Sequence, residues 1–307
     1  MSAKDTFRQL FFRVPVIGKR YRELLAAAQS HYQINPGHYA SPIPSVGEIQ
    51  RELDAVSALS LNADALPGIP LNSKSQLQLL ASIKLHLADY PFPPERNDSF
   101  RYHYLNDWFQ LDDGAVLHAL LREFRPRKII EIGSGFSSAV ILDTVDHLED
   151  FDPDITLIEP NCERLKSRLQ VGDESQIHLI ESVVQDVQLS VFDQLEEKDF
   201  LFIDSSHVAK CGSDVNVIIH QILPQLNPGV IVHFHDIFFP FTYPERLLRA
   251  NQFWNESYML RSFLANNERF QVMLWNDYLK QTHTQEFQAA MPLGIQNIAA
   301  SFWMRCL

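Results

Sequence analysis

The stretch Lys128-Ile129-Ile130-Glu131-Ile132-Gly133-Ser134-Gly135-Phe136-Ser137-Ser138 decides the fold. Branched apolar residues run straight into glycines, and the glycines into serines. Branched chains favour a pleated, buried strand. Glycine, without a Cβ, lets the backbone turn sharply and approach a ligand, and Ser137 or Ser138 can cap a following helix. The stretch therefore reads as strand, tight turn and helix start.

Outward from this turn, short apolar runs alternate with helical segments. Ile155-Thr156-Leu157-Ile158-Glu159, Ile177-His178-Leu179-Ile180, Phe200-Leu201-Phe202-Ile203-Asp204 and Val230-Ile231-Val232-His233-Phe234-His235 read as the second to fifth strands. A helix is expected over 213–226, closed by Asn227-Pro228-Gly229. Such alternation marks βαβ units and a parallel sheet. Beyond a helix near 254–264, the runs 270–275 and 300–305 follow without a full crossover helix between them, which predicts an antiparallel edge pair. The expected fold is α/β: a Rossmann-like seven-stranded sheet, five parallel strands plus a C-terminal antiparallel pair, with an α-helical N-terminal cap.

The texture changes near residue 112, so residues 1–112 are expected to form a helical cap that binds the acceptor and 113–307 the cofactor domain. Helices are expected over 21–33 and 75–88. Leu77, Leu80, Ile83 and Leu87 give the second its helical period before Tyr90-Pro91-Phe92-Pro93-Pro94 stops it. No apolar run approaches the roughly 20 residues needed to cross a bilayer. The basic, apolar segment 7–20 reads as a helix packed on the body; peripheral membrane contact through Phe7, Phe11 and Phe12 is the weaker alternative.

A formal net charge of −12 over 307 residues repels phosphate backbones and argues against nucleic acid as a partner. The three cysteines, Cys162, Cys211 and Cys306, form no CxxC pair, which fits a reducing, cytoplasmic setting. A small molecule or glycan is the expected acceptor, and a homodimer is one assembly the chain allows.

The glycine turn alone does not separate a dinucleotide from a sulfonium cofactor. Dinucleotide sites use G-x-G-x-x-G, and here the third position is Ser138. Glu131 tips the balance. A carboxylate inside an apolar strand is costly without a cationic or hydrogen-bonded partner. The methionine amine of S-adenosylmethionine is such a partner, whereas a pyrophosphate would be repelled. Glu131, Gly133, Ser134, Gly135, Ser137 and Ser138 are thus the expected cradle. Glu159, followed by Pro160, stands 28 residues after Glu131, where its oxygens can accept both ribose hydroxyls. Asp186, with Glu181 beside it, is expected at the adenine amine.

The fourth strand ends in Asp204-Ser205-Ser206-His207 and the fifth in His233-Phe234-His235-Asp236. Neighbouring strands would open these loops into the crevice that holds the reacting methyl. One reading is a divalent ion (Mg, Mn, Fe or Zn) on Asp204, His207, His235 and Asp236; another makes His207 or His235 a general base beside Asp204, without metal. His233, inside the strand, reads as satisfied by local hydrogen bonds.

These residues resemble the methyltransferase-24-like family of class I S-adenosylmethionine-dependent methyltransferases. The resemblance rests on Glu131 to Ser138, on Phe202-Ile203-Asp204-Ser205-Ser206-His207, and on Pro228-Gly229-Val230-Ile231-Val232-His233-Phe234-His235-Asp236-Ile237. Pro36-Gly37-His38-Tyr39-Ala40-Ser41-Pro42-Ile43-Pro44 and Arg101-Tyr102-His103-Tyr104-Leu105-Asn106 extend it. It implies cofactor binding by the glycine turn and Glu159. Related metal-dependent O-methyltransferases place acidic ligands after the fourth and fifth strands, matching Asp204 and Asp236. Ile237 stands where an Asp-Asn pair would end, which points from magnesium toward a softer metal or none.

Tyr39, His103 and Tyr104 are the expected acceptor contacts. Methyl transfer to a hydroxyl, less readily an amine, is the expected reaction. The competing readings are a metal-dependent hydroxylase or hydrolase on the same fold, and a non-catalytic cofactor-binding partner subunit.

Overall fold

The structure, a computed structural model, describes residues 34–58, 65–291 and 300–307, together with 19, 20 and 23. The segment 7–20 and the helix expected over 21–33 therefore lie almost wholly outside the described residues. The chain divides into two compact units, Met1–Leu59 and Ser60–Leu307. In the first, α1 (Val46–Ser57) starts on a capping box: the Ser45 hydroxyl accepts from the Glu48 N–H, and the Glu48 carboxylate accepts from the Ser45 N–H.

The larger unit is built on one sheet. Its strands are β3 (Lys128–Ile132), β4 (Asp154–Ile158), β5 (Ile177–Ile180), β6 (Phe200–Ile203), β7 (Ile231–Phe234), β8 (Phe270–Trp275) and β9 (Phe302–Cys306). They lie in the order β5-β4-β3-β6-β7-β9-β8. The first five are parallel, while β9 runs antiparallel between β7 and β8. This is the Rossmann-like sheet expected from the alternating runs. Strands β6 and β7 are buried on both faces, which is why Phe200-Leu201-Phe202-Ile203 reads as a continuous apolar run.

Residues 65–112 belong to this larger unit. A two-stranded ribbon, β1 (Ala65–Leu66) and β2 (Ile69–Pro70), leads into α2 (Ser73–Ala88), which packs on α3 (Leu111–Phe124) and on β8. Gln76 ties α2 to the sheet by accepting from the Trp275 N–H at 2.8 Å. Arg101 ties the following loop to α4 (Phe136–His147). Its buried guanidinium pairs with Asp143, Asp146 and Asp173, and Asp143 also accepts from the Arg101 and Tyr102 N–H groups.

One expectation is corrected. The single helix over 213–226 is broken: α6 (Asp214–Val217) passes into a π turn at Ile218–Ile222 and a 3-10 turn at Leu223–Gln225. Pro224 explains this, because it has no N–H and its ring crowds the carbonyl one turn back. The antiparallel pair of β8 and β9 is as expected, with two short helices, α9 (Asn276–Thr282) and α10 (Thr284–Ala290), between its strands.

Gly133 carries the turn at φ +83°, and a Cβ there would lie 1.8 Å from the Asp204 carbonyl oxygen. Gly133→Ala should therefore cost about 3 kcal/mol or more in urea unfolding. Gly172→Ala, also at positive φ but facing open space, should cost only about 1–2 kcal/mol. Arg101→Ala, which strands buried carboxylates, should cost about 3–5 kcal/mol. Equal losses at Gly133 and Gly172 would contradict the close approach.

Candidate active site

The glycine turn leaves β3 and enters α4. Ser138, in the first turn of α4, accepts from the Gly135 N–H at 3.0 Å and donates to the Glu131 carboxylate. Glu131 is fully buried, and its other oxygen, Oε1, has no hydrogen-bond partner among the described residues; nor does the Ser134 hydroxyl. Burial raises the Glu131 carboxyl to about 7, against the nearby hydroxyls of Ser137, Ser138 and Ser134, which lower it. At the end of β4, Glu159 accepts from the Ser134 N–H at 3.1 Å and from the Asn161 N–H at 2.7 Å. These bonds lock Glu159 to the turn. Pro160 and Asp186 are exposed, Asp186 in a 3-10 turn beyond β5.

Across the sheet, the ends of β6 and β7 bring four expected residues together. His207 Nε2 lies 3.4 Å from Asp204 and 3.6 Å from Asp236, while His235 Nδ1 lies 3.6 Å from Asp204 and 3.7 Å from Asp236. Carboxylate and imidazole thus alternate around a ring, at separations long for hydrogen bonds. His207 and Asp236 both hold left-handed backbone, φ +60° and +57°. Strain of this kind costs on the order of 1–3 kcal/mol per residue and collects at functional sites.

Two further carboxylates, invisible in the motifs, stand behind the ring. Glu256, buried at the start of α8 (Glu256–Leu264), lies 2.8 Å from His207 Nδ1 and accepts from the Ser205 hydroxyl at 2.8 Å. Asp113, buried in the first turn of α3, lies 3.5 Å from His235 Nε2. Acids in a first helical turn suit the helix dipole, so neither stood out in the sequence.

Burial alone would lower the His207 pKa, yet Asp204, Glu256 and Asp236 outweigh it and lift the imidazole to about 10. His235 is likewise driven up against burial by Asp236, Asp204 and Asp113. The Asp204 carboxyl, which burial would raise, is held well below its ordinary value by His235 and His207. In this form the ring carries imidazolium beside carboxylate. Among the described residues no group of three or more histidine, cysteine or carboxylate side chains could hold a metal ion as it stands.

The ring opens into a cavity of about 330 Å³, lined also by Trp108, Arg164, Arg246 and Trp254. Asp204 and Asp236 keep 31% and 19% of their side chains exposed, against 10% and 6% for His207 and His235, so the carboxylates are what a bound molecule meets first. His233 is fully buried, stacked on Phe202 at 3.8 Å and bonded to Ser301, outside the ring. His103 meets the edge of Phe136, and Tyr104 packs near Tyr90; neither lines the cavity. Tyr39 lies in the smaller unit, 89% exposed.

A family model described as a methyltransferase domain matches residues 130–237, which span the glycine turn, Glu159 and the ring. An uncharacterized protein of Archaeoglobus fulgidus is 36% identical over 165 residues, covering 53% of this chain and 73% of its own. Among solved structures, an SAH-bound methyltransferase of Podospora anserina is 16% identical, covering 87% of this chain and 99% of its own, with a TM-score of 0.41. The O-methyltransferase TomG of Streptomyces achromogenes, in complex with SAM, is 15% identical, covering 75% and 89%, with a TM-score of 0.41. The chain is thus similar to methyltransferase domains over residues 130–237, and its seven-stranded sheet is Rossmann-like.

The Glu131 carboxyl supplies a stability test in the absence of cofactor. Its folded pKa, about 7, exceeds the ordinary 4.5. Its contribution is therefore present below about pH 4.5 and lost as pH rises through 7. Glu131→Gln should be more stable than the parent at pH 8, by on the order of 3 kcal/mol, and equal to it near pH 4.5. Urea unfolding at the two pH values checks this; equal stability at both would contradict the assignment.

Proposed function

We propose that the protein transfers the methyl group of S-adenosylmethionine to a hydroxyl oxygen of a small metabolite, natural product or glycan bound in the cavity at the Asp204–His207–His235–Asp236 ring. The observation that carries this reading is the junction at Asp204, whose backbone packs on the glycine turn while its side chain belongs to the ring. Cofactor and acceptor would meet there. S-adenosylmethionine supplies the methyl as a sulfonium, an electrophile that needs no further activation.

Glu131 Oε1 and the Ser134 hydroxyl, without a hydrogen-bond partner among the described residues, would receive the methionine end of the cofactor. Glu159, held by two backbone N–H groups, would accept the ribose hydroxyls, with Gly133, Gly135, Ser137 and Ser138 as the cradle and Asp186 at the adenine. The exposed edges of Asp204 and Asp236 orient the acceptor hydroxyl, and His207 or His235, once it has given up its own proton, takes the hydroxyl proton as the new O–C bond forms and the C–S electron pair returns to sulfur. His207 and His235 stabilise these carboxylates from inside. Alignment of oxygen, carbon and sulfur supplies most of the rate.

A second reading places a divalent ion in the ring. What favours it is the alternation of oxygen and nitrogen at 3.4–3.7 Å, with Glu256 and Asp113 as outer carboxylates on the two imidazoles. Asp204, His207, His235 and Asp236 would hold the ion after losing the imidazole protons, and it would lower the pKa of a bound hydroxyl. The imidazoles favour zinc, manganese or iron over magnesium.

Titration calorimetry tests the first reading. The protein should bind S-adenosylmethionine, and Glu159→Ala should weaken binding about ten- to a hundredfold. Affinity should rise between pH 6 and 7.5 as Glu131 ionises, a trend lost in Glu131→Gln. Absence of binding by the parent protein would sink the reading. For the second, Mn²⁺ and Zn²⁺ titrated into cofactor-saturated protein should bind one ion, and Asp236→Asn should lose it; no binding by either ion removes that reading alone.

A further inference from the structure

We infer that Glu256 is the positioning residue of the reaction: it grips the inner nitrogen of His207 so that Nε2 points at Asp204 and Asp236. The inference rests on the methyl-transfer reading and adds a residue that no motif supplied.

The start of α8 holds His207 at three points. The Glu256 carboxylate, 1% exposed, lies 2.8 Å from His207 Nδ1. The Asn255 and Glu256 N–H groups both donate to the His207 carbonyl, at 3.0 and 3.1 Å. Asn255 also closes two bonds with the backbone of Ala209. This clasp explains how a histidine persists at φ +60°, because a sparsely populated conformation survives only when its surroundings over-determine it. The Trp254 ring, 4.5 Å from the His207 ring, walls the remaining side.

A carboxylate so deeply buried is costly unless its bonds are satisfied, and Glu256 has both oxygens engaged, one by His207 and one by Ser205. A purely structural acid would not need its partner to be a cavity-facing imidazole. Asp113 behind His235 is different in kind. Its carboxylate is taken by the Ala300 and Ser301 N–H groups and by Asn276, so it fastens the chain before β9 and lies 3.5 Å from the histidine. Glu256, by contrast, spends its bonds on the loop that carries the ring.

The inference is tested on full-length protein by ¹⁵N-histidine resonance spectroscopy and by turnover of S-adenosylmethionine. The parent protein should show a downfield, exchange-protected His207 Nδ1–H signal. In Glu256→Gln this proton should move upfield and exchange at least about tenfold faster, with the affinity for S-adenosylhomocysteine unchanged. On any phenol, sugar or hydroxy acid that the parent protein methylates, kcat should fall about ten- to a hundredfold with little change in the KM for S-adenosylmethionine. Ser205→Ala, which leaves the His207 bond in place, should show a smaller loss in the same direction. Unchanged His207 resonances, or unchanged kcat, in a folded Glu256→Gln would overturn the assignment. Failure of the parent protein to bind S-adenosylhomocysteine would count against the methyl-transfer reading instead, and the histidine resonances would still decide the positioning.

Discussion

The close approach of Gly133 to the Asp204 carbonyl is the constraint on which the rest of the structure depends. Gly133 donates its N–H to Ile158 at the end of β4, and Asp204 donates its own to Ile132 at the end of β3. Three adjacent strand ends are thereby stitched together, with no room for a side chain between them. The glycine turn and the acid of the ring are consequently two faces of one junction. A parallel sheet places ligands beyond its carboxyl edge, and here the junction lies where β3 and β6 meet and the strand order reverses.

The two halves of the site solve opposite electrostatic problems. At the glycine turn a single buried carboxylate, Glu131, has no cation beside it among the described residues and is driven by burial toward its neutral form. On the acceptor side Asp204, Asp236, Glu256 and Asp113 surround His207 and His235, so the imidazoles are driven toward their charged form. A sulfonium cofactor with a cationic amine suits the first environment, and a hydroxyl that must lose a proton suits the second. The left-handed backbone at His207 and Asp236 shows that this arrangement is held against local preference.

Much of this was legible in the sequence, for physical reasons. Strands β3, β6 and β7 stand out because parallel strands buried on both faces must be continuously apolar. Glu131 stands out because an acid inside such a strand demands a partner. Asp204, His207, His235 and Asp236 follow from the order of neighbouring strands. What remained hidden depends on tertiary packing. Glu256 and Asp113 sit in first helical turns, where acids are ordinary. The clustering of Asp143, Asp146 and Asp173 about Arg101 joins residues far apart in the chain, and local pattern gives no sign of it. The break at Pro224 was missed although a proline there disfavours a continuous helix, and the π turn before it reflects how the helix relaxes.

The central claim is that the sulfonium methyl faces the ring of Asp204, His207, His235 and Asp236. Protein saturated with S-adenosylmethionine carrying a ¹³C-labelled methyl tests it through nuclear Overhauser contacts from that methyl. The account predicts contacts with the His235 or His207 ring protons and the Asp204 β-protons. A bound cofactor whose methyl shows contacts only with residues outside this ring would contradict it.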